Sequence, residues 1–490
     1  MITSKQRAQL RGMAAALNTE LQIGKSGITE NVVRQTEEAL AARELIKGRV
    51  LDNSLLSARE ACDALCEACG ADGVQVIGSK FVLFKQNEKD PKDRPNKRSQ
   101  RKEVTSMRLL IYGGTFNPPH LGHIDALSCA AASLSADRCI VVPAGIPPHK
   151  ALAEGSPTAE ERLRLCELAF PDADVTPMEL RREGKSYTVD TLREISRGNP
   201  GAELYFLVGT DMLLYMEQWY EFRSLFSLCT LAALPRADGD LAEIERYAAY
   251  LRETYGARIE IIAKTPLPMD STALRAALPR RGGTERLCDA VYSEIIRCRL
   301  YGAKPDLAWL REKTDAYLKP TRIPHVRGCE ETAARLALRW GEDPENAAEA
   351  GILHDITKRL SDDEQLRLAE KYGIVLNAAD LAAPKTLHAL TGAWFAREHF
   401  GVPDNIFSAI EWHTTGRAGM AALEKIVYLA DFIEPTRDFP GVQDVRTLAF
   451  ADLNAAMIRA LQMSMDEVKR RGASPHPRSA EALRWLQTQN

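Results

Sequence analysis

The chain has 490 residues, with 64 Lys/Arg against 67 Asp/Glu, a formal net charge of −3, 45% hydrophobic residues and 27% charged residues. That balance excludes wholesale disorder and, by itself, points to no partner. The length predicts about three domains of roughly 150 residues, and no run of about 18 apolar residues is present, so no membrane span is expected.

In chain order, the opening MITSKQRAQL has no apolar core after its basic residues. This sets the expectation of a cytoplasmic protein without a secretory leader, whose ten cysteines stay reduced. LTELQI predicts a strand, Gly24-Lys25-Ser26-Gly27 a turn, and the following stretch a helix capped by Thr29. A Gly-x-x-Gly turn lets backbone approach a phosphate, as in the nucleic-acid clamp of KH domains. Phe81 and Phe84 are the only aromatic residues of 1–85, so base stacking is not expected to dominate. Cys62, Cys66 and Cys69 have a spacing found in iron–sulfur proteins. ARE-ACDALCEACG nevertheless reads as a helix with those thiols on one face, which predicts buried small side chains. Lys85–Ser106 is almost free of apolar residues and carries eight Lys/Arg against four Asp/Glu, a charged spacer or a basic tether that touches RNA.

SKQRAQLRGMAAAL, QIGKSGITENV, ARELIKGRVL and GVQVIGSKFVLFK resemble the bacterial CRM family, small RNA-binding proteins linked to ribosome assembly. The resemblance covers essentially all of residues 1–85 and implies RNA, with ribosomal precursor RNA as the expected partner. Gly24, Lys25, Ser26 and Gly27, with Arg43, Lys47 and Arg49, are the candidate contacts to its backbone.

Residues 107–300 alternate apolar runs (RLLIYGG, CIVVPA, ELYFLVG, TLAALPR) with helical patterns, which argues for a parallel sheet with crossover helices. After the first run comes Gly113-Gly114-Thr115-Phe116-Asn117-Pro118-Pro119-His120-Leu121-Gly122-His123, leading into a helix. His120 and His123 stand at that helix entrance, where N–H groups and the dipole favour an anion. Positioned imidazole donors there can stabilise the charge that builds on a phosphoryl group under attack. The motif resembles the HxGH nucleotidyltransferases and, within them, bacterial nicotinate-nucleotide adenylyltransferase.

Further segments carry that likeness: PPHK with His149 and Lys150, SYTVDT with Ser186, Tyr187, Thr188 and Asp190, FLVGTDMLLYMEQW with Gly209, Asp211 and Trp219, LPR with Arg236, and MDSTALR with Ser271, Thr272 and Arg275. It implies ATP and nicotinate mononucleotide as substrates, Mg²⁺ as cofactor, and His120 and His123 as catalytic residues. It also implies that Ser271, Thr272 and Arg275 hold the β/γ-phosphates, and that Thr188, Trp219 and nearby backbone hold the pyridine nucleotide. The residues alone leave acid versus amide mononucleotide open. One departure stands out: Asp270 occupies a position where the family usually has serine, placing a carboxylate near the triphosphate.

From about Tyr301 the pattern is nearly all helical. His325, His354-Asp355, His388, His413, Asp431 and Lys358 fall on otherwise apolar helices, where burial costs several kcal/mol unless the groups pair or bind metal. The order H…HD…D is similar to the HD superfamily. LHALTGA, HTTG and ADFIEPTR resemble its symmetrical bis(5′-nucleosyl)-tetraphosphatase branch. That likeness implies His325, His354, Asp355 and Asp431 as ligands of iron or another divalent transition metal, and diadenosine tetraphosphate as substrate. Lys358 and Arg437 are phosphate contacts in this reading, and His388 and His413 either ligate a second metal or contact phosphate. His399 and His476 match nothing and are expected on surfaces.

The fold expected is therefore multidomain: a small α/β RNA-binding domain (1–85), a charged linker (86–106), an α/β Rossmann-like nucleotidyltransferase domain (107–301) and an all-α HD domain (302–490). Two rivals stand beside it: an RNA- or ribosome-associated scaffold with degenerate enzyme parts, and an HD domain aimed at another nucleotide.

Overall fold

A computed structural model describes residues 2, 4–15, 17, 19–25, 27–51, 54, 56–86, 106–146, 152–237 and 239–489. The chain divides into two compact units, Met1–Ser106 and Met107–Asn490.

The first unit runs α1 (Ser4–Ala15), β1 (Thr19–Ile23), α2 (Glu30–Arg43), β2 (Leu45–Val50), α3 (Ala58–Cys69), β3 (Asp72–Ile77) and β4 (Lys80–Phe84). Its sheet has the order β1-β2-β4-β3, with β1 parallel to β2 and the other pairs antiparallel. Period-two alternation makes two cores. Ile46, Phe81 and Leu83 pack with Leu40 of α2 and Leu65 of α3; Leu45, Val82 and Phe84 pack with Leu10 of α1. Thr29 caps α2 as its position predicts. Cys62 and Cys69 are buried on α3, Cys66 is half-buried, and all three thiols are free. Both phenylalanines are buried, so neither presents a ring to a base.

The second unit begins with β5 (Arg108–Gly114), α4 (Leu121–Leu134), β6 (Arg138–Pro143), α5 (Ala159–Ala169), β7 (Asp174–Val175), α6 (Thr188–Gly198) and β8 (Glu203–Gly209). It continues with α7 (Thr210–Leu214), α8 (Phe222–Leu228), β9 (Thr230–Leu234), α9 (Asp240–Tyr255), β10 (Ile259–Ile261), α10 (Ser271–Ala277) and α11 (Asp289–Cys298). The strands form a parallel sheet of order β10-β9-β8-β5-β6-β7. Alternate residues of β5 feed opposite cores: Leu110 joins α4, α5 and α11, and Leu109 and Ile111 join α6, α8 and α9. The order reverses between β5 and β8, and at that switch point the carboxyl ends of neighbouring strands leave a crevice for ligand.

Beyond Ile261 the described residues contain no strand. The remaining helices are α12 (Leu307–Asp315), α13 (Ile323–Trp340), α14 (Pro344–Leu353), α15 (Asp362–Lys371), α16 (Ala378–Ala382), α17 (Leu387–Phe400) and α18 (Asp404–Glu411). The last four are α19 (Ala422–Ile433), α20 (Val442–Ala451), α21 (Leu453–Arg470) and α22 (Pro477–Thr488). All of them except α15 and α16 contribute to one apolar core, and its packing holds the polar groups gathered inside it.

Candidate active sites

The first site grows from the loop between β5 and α4. His120 is the N-cap of α4, and its Nδ1 accepts the N–H of His123 (3.3 Å), while His123 Nδ1 accepts the N–H of His120 (3.2 Å). Backbone N–H groups only donate, so each Nδ1 carries the lone pair and each proton sits on Nε2. The rings stack with centroids 3.6 Å apart. Burial lowers the His120 pKa to about 4 and that of His123 well below its ordinary value, with the His120 charge adding to the second shift. Both imidazoles are thus neutral Nε2–H donors near pH 7. Gly122 is required by crowding: a Cβ there would lie 2.8 Å from the Leu267 carbonyl oxygen.

A cavity of about 320 Å³ opens at the switch point, lined by Gly113, Gly114, His120, His123, Gly209, Asp211, Arg236, Ser271, Thr272 and Arg275. Arg236 pairs with Asp211 at 2.6 Å. Asp270 is the N-cap of α10 and accepts the N–H groups of Thr272 (2.8 Å) and Ala273 (3.1 Å), which explains how a carboxylate is tolerated there. Arg275 donates to the Asn117 carbonyl (2.7 Å) and to Thr272 Oγ1 (3.2 Å). Phe116 lines neither cavity of this part: it is buried, with its ring 5.2 Å from that of His123, and props the imidazole from behind.

A second cavity of about 150 Å³ shares Gly113, Gly114 and Met212 with the first. Thr115, Ser186, Thr188, Trp219 and Tyr220 line it. No side chain caps α6, so the first amides of that helix stay available at the cavity wall. His149 and Lys150 lie outside the described residues.

Sequence reasoning missed several residues here. Arg162 is buried and donates to the carbonyls of Thr115 (3.1 Å) and Ala144 (2.7 Å), shaping the loop. Glu179 lines the second cavity and accepts from Thr191 (2.6 Å), and burial raises its pKa. Neither has a local sequence signal. Tyr220, beside Trp219, had one.

The second site lies inside the helical core. His325 on α13, His354 at the end of α14, Asp355, His388 on α17, His413 after α18 and Asp431 on α19 converge. His325 Nε2 lies 3.3 Å from His354 Nε2 and 3.1 Å from Asp431 Oδ1. His388 Nε2 lies 3.1 Å from both His413 Nε2 and Asp355 Oδ1. Here the tautomers are reversed. Nδ1 of His354, His388 and His413 donates to the carbonyls of Gly351 (2.7 Å), Lys385 (2.8 Å) and Ile410 (2.6 Å), and that of His325 to the Glu434 carboxylate (3.0 Å). Within each pair, His325/His354 and His388/His413, the Nε2 atoms therefore turn lone pairs toward each other, an arrangement that repels unless a cation lies beside them. Asp355 Oδ1 is buried without a hydrogen-bond partner. The donor set of imidazoles and carboxylates fits a divalent transition metal.

Missed residues again flank those that were found. Arg322 contacts Asp355 at 2.5 Å and Asp431 at 4.0 Å, offsetting part of their negative charge. Cys329 Sγ lies 3.4 Å from His325 Nε2 within the same group. Arg322 and Glu434 each stand three residues from a predicted ligand, one helical turn away, which was a readable signal. Lys358 Nζ is 3.0 Å from His388 Nε2, and Arg437 pairs with Asp431 at 2.5 Å. His399 is exposed. His476 corrects the surface expectation: it is buried, caps α22 and lies 3.2 Å from the buried Asp380, because α22 closes over the core.

In the first unit, Gly27 takes φ +65° and its N–H closes the turn onto the Gly24 carbonyl (3.0 Å); Ser26 lies outside the described residues. Lys25, Arg43 and Arg49 are exposed. Lys47 donates to the Leu17 carbonyl (2.9 Å) and lines an open groove with Arg11 and Lys80.

Residues 2–85 match the CRS1 / YhbY (CRM) domain, residues 111–276 the cytidylyltransferase-like family and residues 322–436 the HD domain. A "Probable nicotinate-nucleotide adenylyltransferase" of a Synechococcus strain is 36% identical over 40% of this chain and 96% of its own length. A "Bis(5'-nucleosyl)-tetraphosphatase, symmetrical" of Bacillus subtilis is 37% identical over 34% of this chain and 89% of its own. A Mycoplasma pneumoniae protein, "Probable nicotinate-nucleotide adenylyltransferase/Ap4A hydrolase", is 26% identical over 67% of this chain and 89% of its own, in one fused polypeptide. The chain thus belongs to the nicotinate-nucleotide adenylyltransferase family through its nucleotidyltransferase part and to the symmetrical bis(5′-nucleosyl)-tetraphosphatase family through its HD part.

Proposed function

We propose that this chain transfers AMP from ATP to nicotinate mononucleotide, releasing pyrophosphate and deamido-NAD, and that its HD part splits diadenosine tetraphosphate into two ADP. The observation that carries the first activity is the pair of cavities meeting at Gly113 and Gly114. ATP fills the larger and the mononucleotide the smaller, so the attacking phosphate and the α-phosphate meet between them. The Nε2–H groups of His120 and His123 donate to the oxygens that gain charge, and Ser271, Thr272 and Arg275 hold the leaving pyrophosphate. Catalysis is positioning and charge neutralisation, with Mg²⁺ as the expected counter-ion and no covalent nucleophile. The uncapped start of α6 favours a pyridine carboxylate over an amide, because helix N-terminal amides attract an anion. Trp219 and Tyr220 supply aromatic faces for the pyridine ring.

In the HD part, Asp355 stands between two imidazole pairs, His325/His354 and His388/His413. This supports two metal ions, with iron the metal proposed; His325, His354, Asp355, His388, His413 and Asp431 would hold them. When bound, such ions polarise a phosphoryl oxygen and supply hydroxide at neutral pH. Lys358, Arg322 and Arg437 receive the polyphosphate and balance its charge. Residues 1–85 are the RNA-binding module in this reading, meeting ribosomal precursor RNA with the Gly24–Gly27 turn, Lys25, Arg43, Lys47 and Arg49. Among the described residues no helix is long and apolar enough to cross a membrane, and the cytoplasm is the proposed location.

Pyrophosphate release from ATP with either nicotinate or nicotinamide mononucleotide, run beside His120→Ala, tests the central assignment. Preference for the acid, with a loss of about 10²-fold or more in the variant, is expected. A folded wild type that turns over neither substrate would move the scaffold reading to the front.

A further inference from the structure

The seam between the nucleotidyltransferase and HD parts is a fixed contact. After α11 ends at Cys298, Arg299 (φ 50°) and Tyr301 (φ 59°) both adopt the left-handed region that L side chains rarely use. Such a turn persists only where its surroundings over-determine it. On one side, the Arg299 guanidinium donates to Glu349 Oε1 (2.5 Å) and to the carbonyls of Phe400 (3.0 Å) and Gly401 (2.8 Å). The other Glu349 oxygen accepts from Arg281 (2.9 Å), and the carboxylate is 1% exposed. Glu349 stands on α14, the helix that leads into His354 and Asp355. On the other side, the Tyr301 hydroxyl donates to Asn117 Oδ1 (2.8 Å). Asn117 lies in the loop before His120; its amide donates to Ser156 Oγ (2.7 Å), and its carbonyl accepts from Arg275 (2.7 Å).

We propose that Tyr301 is a positioning residue for ATP in the adenylyltransferase, and that Glu349, from across the seam, holds it in place through Arg299. The proposal rests on the adenylyltransferase reading above. Tyr301 lines neither cavity. It acts on Asn117, and Asn117 aims the guanidinium offered to the ATP phosphates. Burial raises the Tyr301 pKa, so its hydroxyl keeps the proton it donates. One buried carboxylate then steadies both the helix that presents the metal ligands and the clamp on the triphosphate.

The test uses full-length protein. kcat and KM for ATP and for nicotinate mononucleotide are measured by pyrophosphate release in wild type, Tyr301→Phe, Glu349→Gln and the double variant, with diadenosine tetraphosphate hydrolysis as a second readout. Tyr301→Phe is expected to raise the KM for ATP about tenfold, leaving kcat and the KM for the mononucleotide within about twofold. Hydrolysis by that variant stays at the wild-type rate. Glu349→Gln raises the KM for ATP in the same direction, and the double variant is no worse than the worse single, because Glu349 reaches ATP only through the Tyr301–Asn117 hydrogen bond that Tyr301→Phe already removes. An unchanged KM for ATP in Tyr301→Phe, or additive effects in the double variant, overturns the proposal. Should Glu349→Gln fail to fold, Arg299→Lys replaces it in the cycle and the same two outcomes decide. Wild-type protein without pyrophosphate release overturns the adenylyltransferase reading itself, a failure visible before any variant is compared.

Discussion

The two stacked imidazoles predict a pH profile unlike that of most histidine enzymes. An ordinary imidazole titrating near 6.5 is about three-quarters protonated at pH 6. His120, lowered by burial to about 4, is then only about 1% protonated, and burial shifts His123 in the same direction. The displacement from 6.5 to about 4 corresponds to about 3 kcal/mol in favour of the neutral ring. Protonation of either ring would also replace the lone pair that accepts the backbone N–H of its partner. The expected kcat/KM for pyrophosphate release therefore changes by less than about twofold between pH 8 and pH 6, where a ring titrating at 6.5 would lose about fourfold. Stability follows the same sign. The unfolded chain takes a proton on His120 as pH falls through about 6.5 and the folded chain does not until about 4, so acid destabilises the fold across that window, and the lowered His123 acts with the same sign. The assay is a pH–rate profile under saturating Mg²⁺, paired with a histidine NMR titration in which His120→Asn identifies the His120 signal. Asparagine keeps the N-cap and removes the titrating group. An inflection near 6.5 in both measurements, lost in His120→Asn, would refute the reciprocal capping of His120 and His123 through Nδ1.

Four further outcomes are expected. His388→Ala should lower the transition-metal content from two ions per chain to about one by mass spectrometry of the protein, with the helical dichroism unchanged; retention of both ions would remove His388 from the ligand set. Chelation should abolish diadenosine tetraphosphate hydrolysis, while Mg²⁺ alone restores pyrophosphate release, and hydrolysis that survives metal removal would contradict the HD assignment. Trp219→Ala should raise the KM for nicotinate mononucleotide by about fivefold without moving that for ATP, consistent with about 1 kcal/mol for an aromatic face; an equal change in both would place the ring elsewhere. Asp270→Ser should keep the helix cap, remove a carboxylate from the phosphate cavity and lower the KM for ATP, an effect that shrinks with added salt; a raised KM would show that the carboxylate assists binding.

Much of both sites was legible because their chemistry is written in contiguous stretches. GGTFNPPHLGH contains the strand end, the loop and the helix start, and four of the six parallel strands (β5, β6, β8 and β9) fall on apolar runs, whereas the short β7 and β10, with Asp174 and Glu260, do not stand out. Arg162 and Glu179 were not legible, since each acts through backbone or side chains that only the fold brings near. His476 was misread because an isolated polar residue near the end of the sequence gives no hint that its helix closes over the core.

The histidines show where the division falls. At the start of a helix the unpaired backbone groups are N–H donors, so His120 and His123 accept through Nδ1 and turn Nε2–H outward. At the end of a helix they are carbonyls, so His354 and His413 donate through Nδ1 and offer a lone pair. Sequence by itself determined the residue types, the helices that carry most of them and the helix start at which His120 and His123 stand; it placed His354 inside a helix, and the structure puts it at the end of α14. Only the tertiary structure decided that Asp355 stands between two imidazole pairs and that Tyr301 reaches Asn117. Backbone groups within one turn are fixed by local sequence, and the Asp270 cap belongs to them. Contacts between groups far apart in the chain exist only once the packed cores have closed around them.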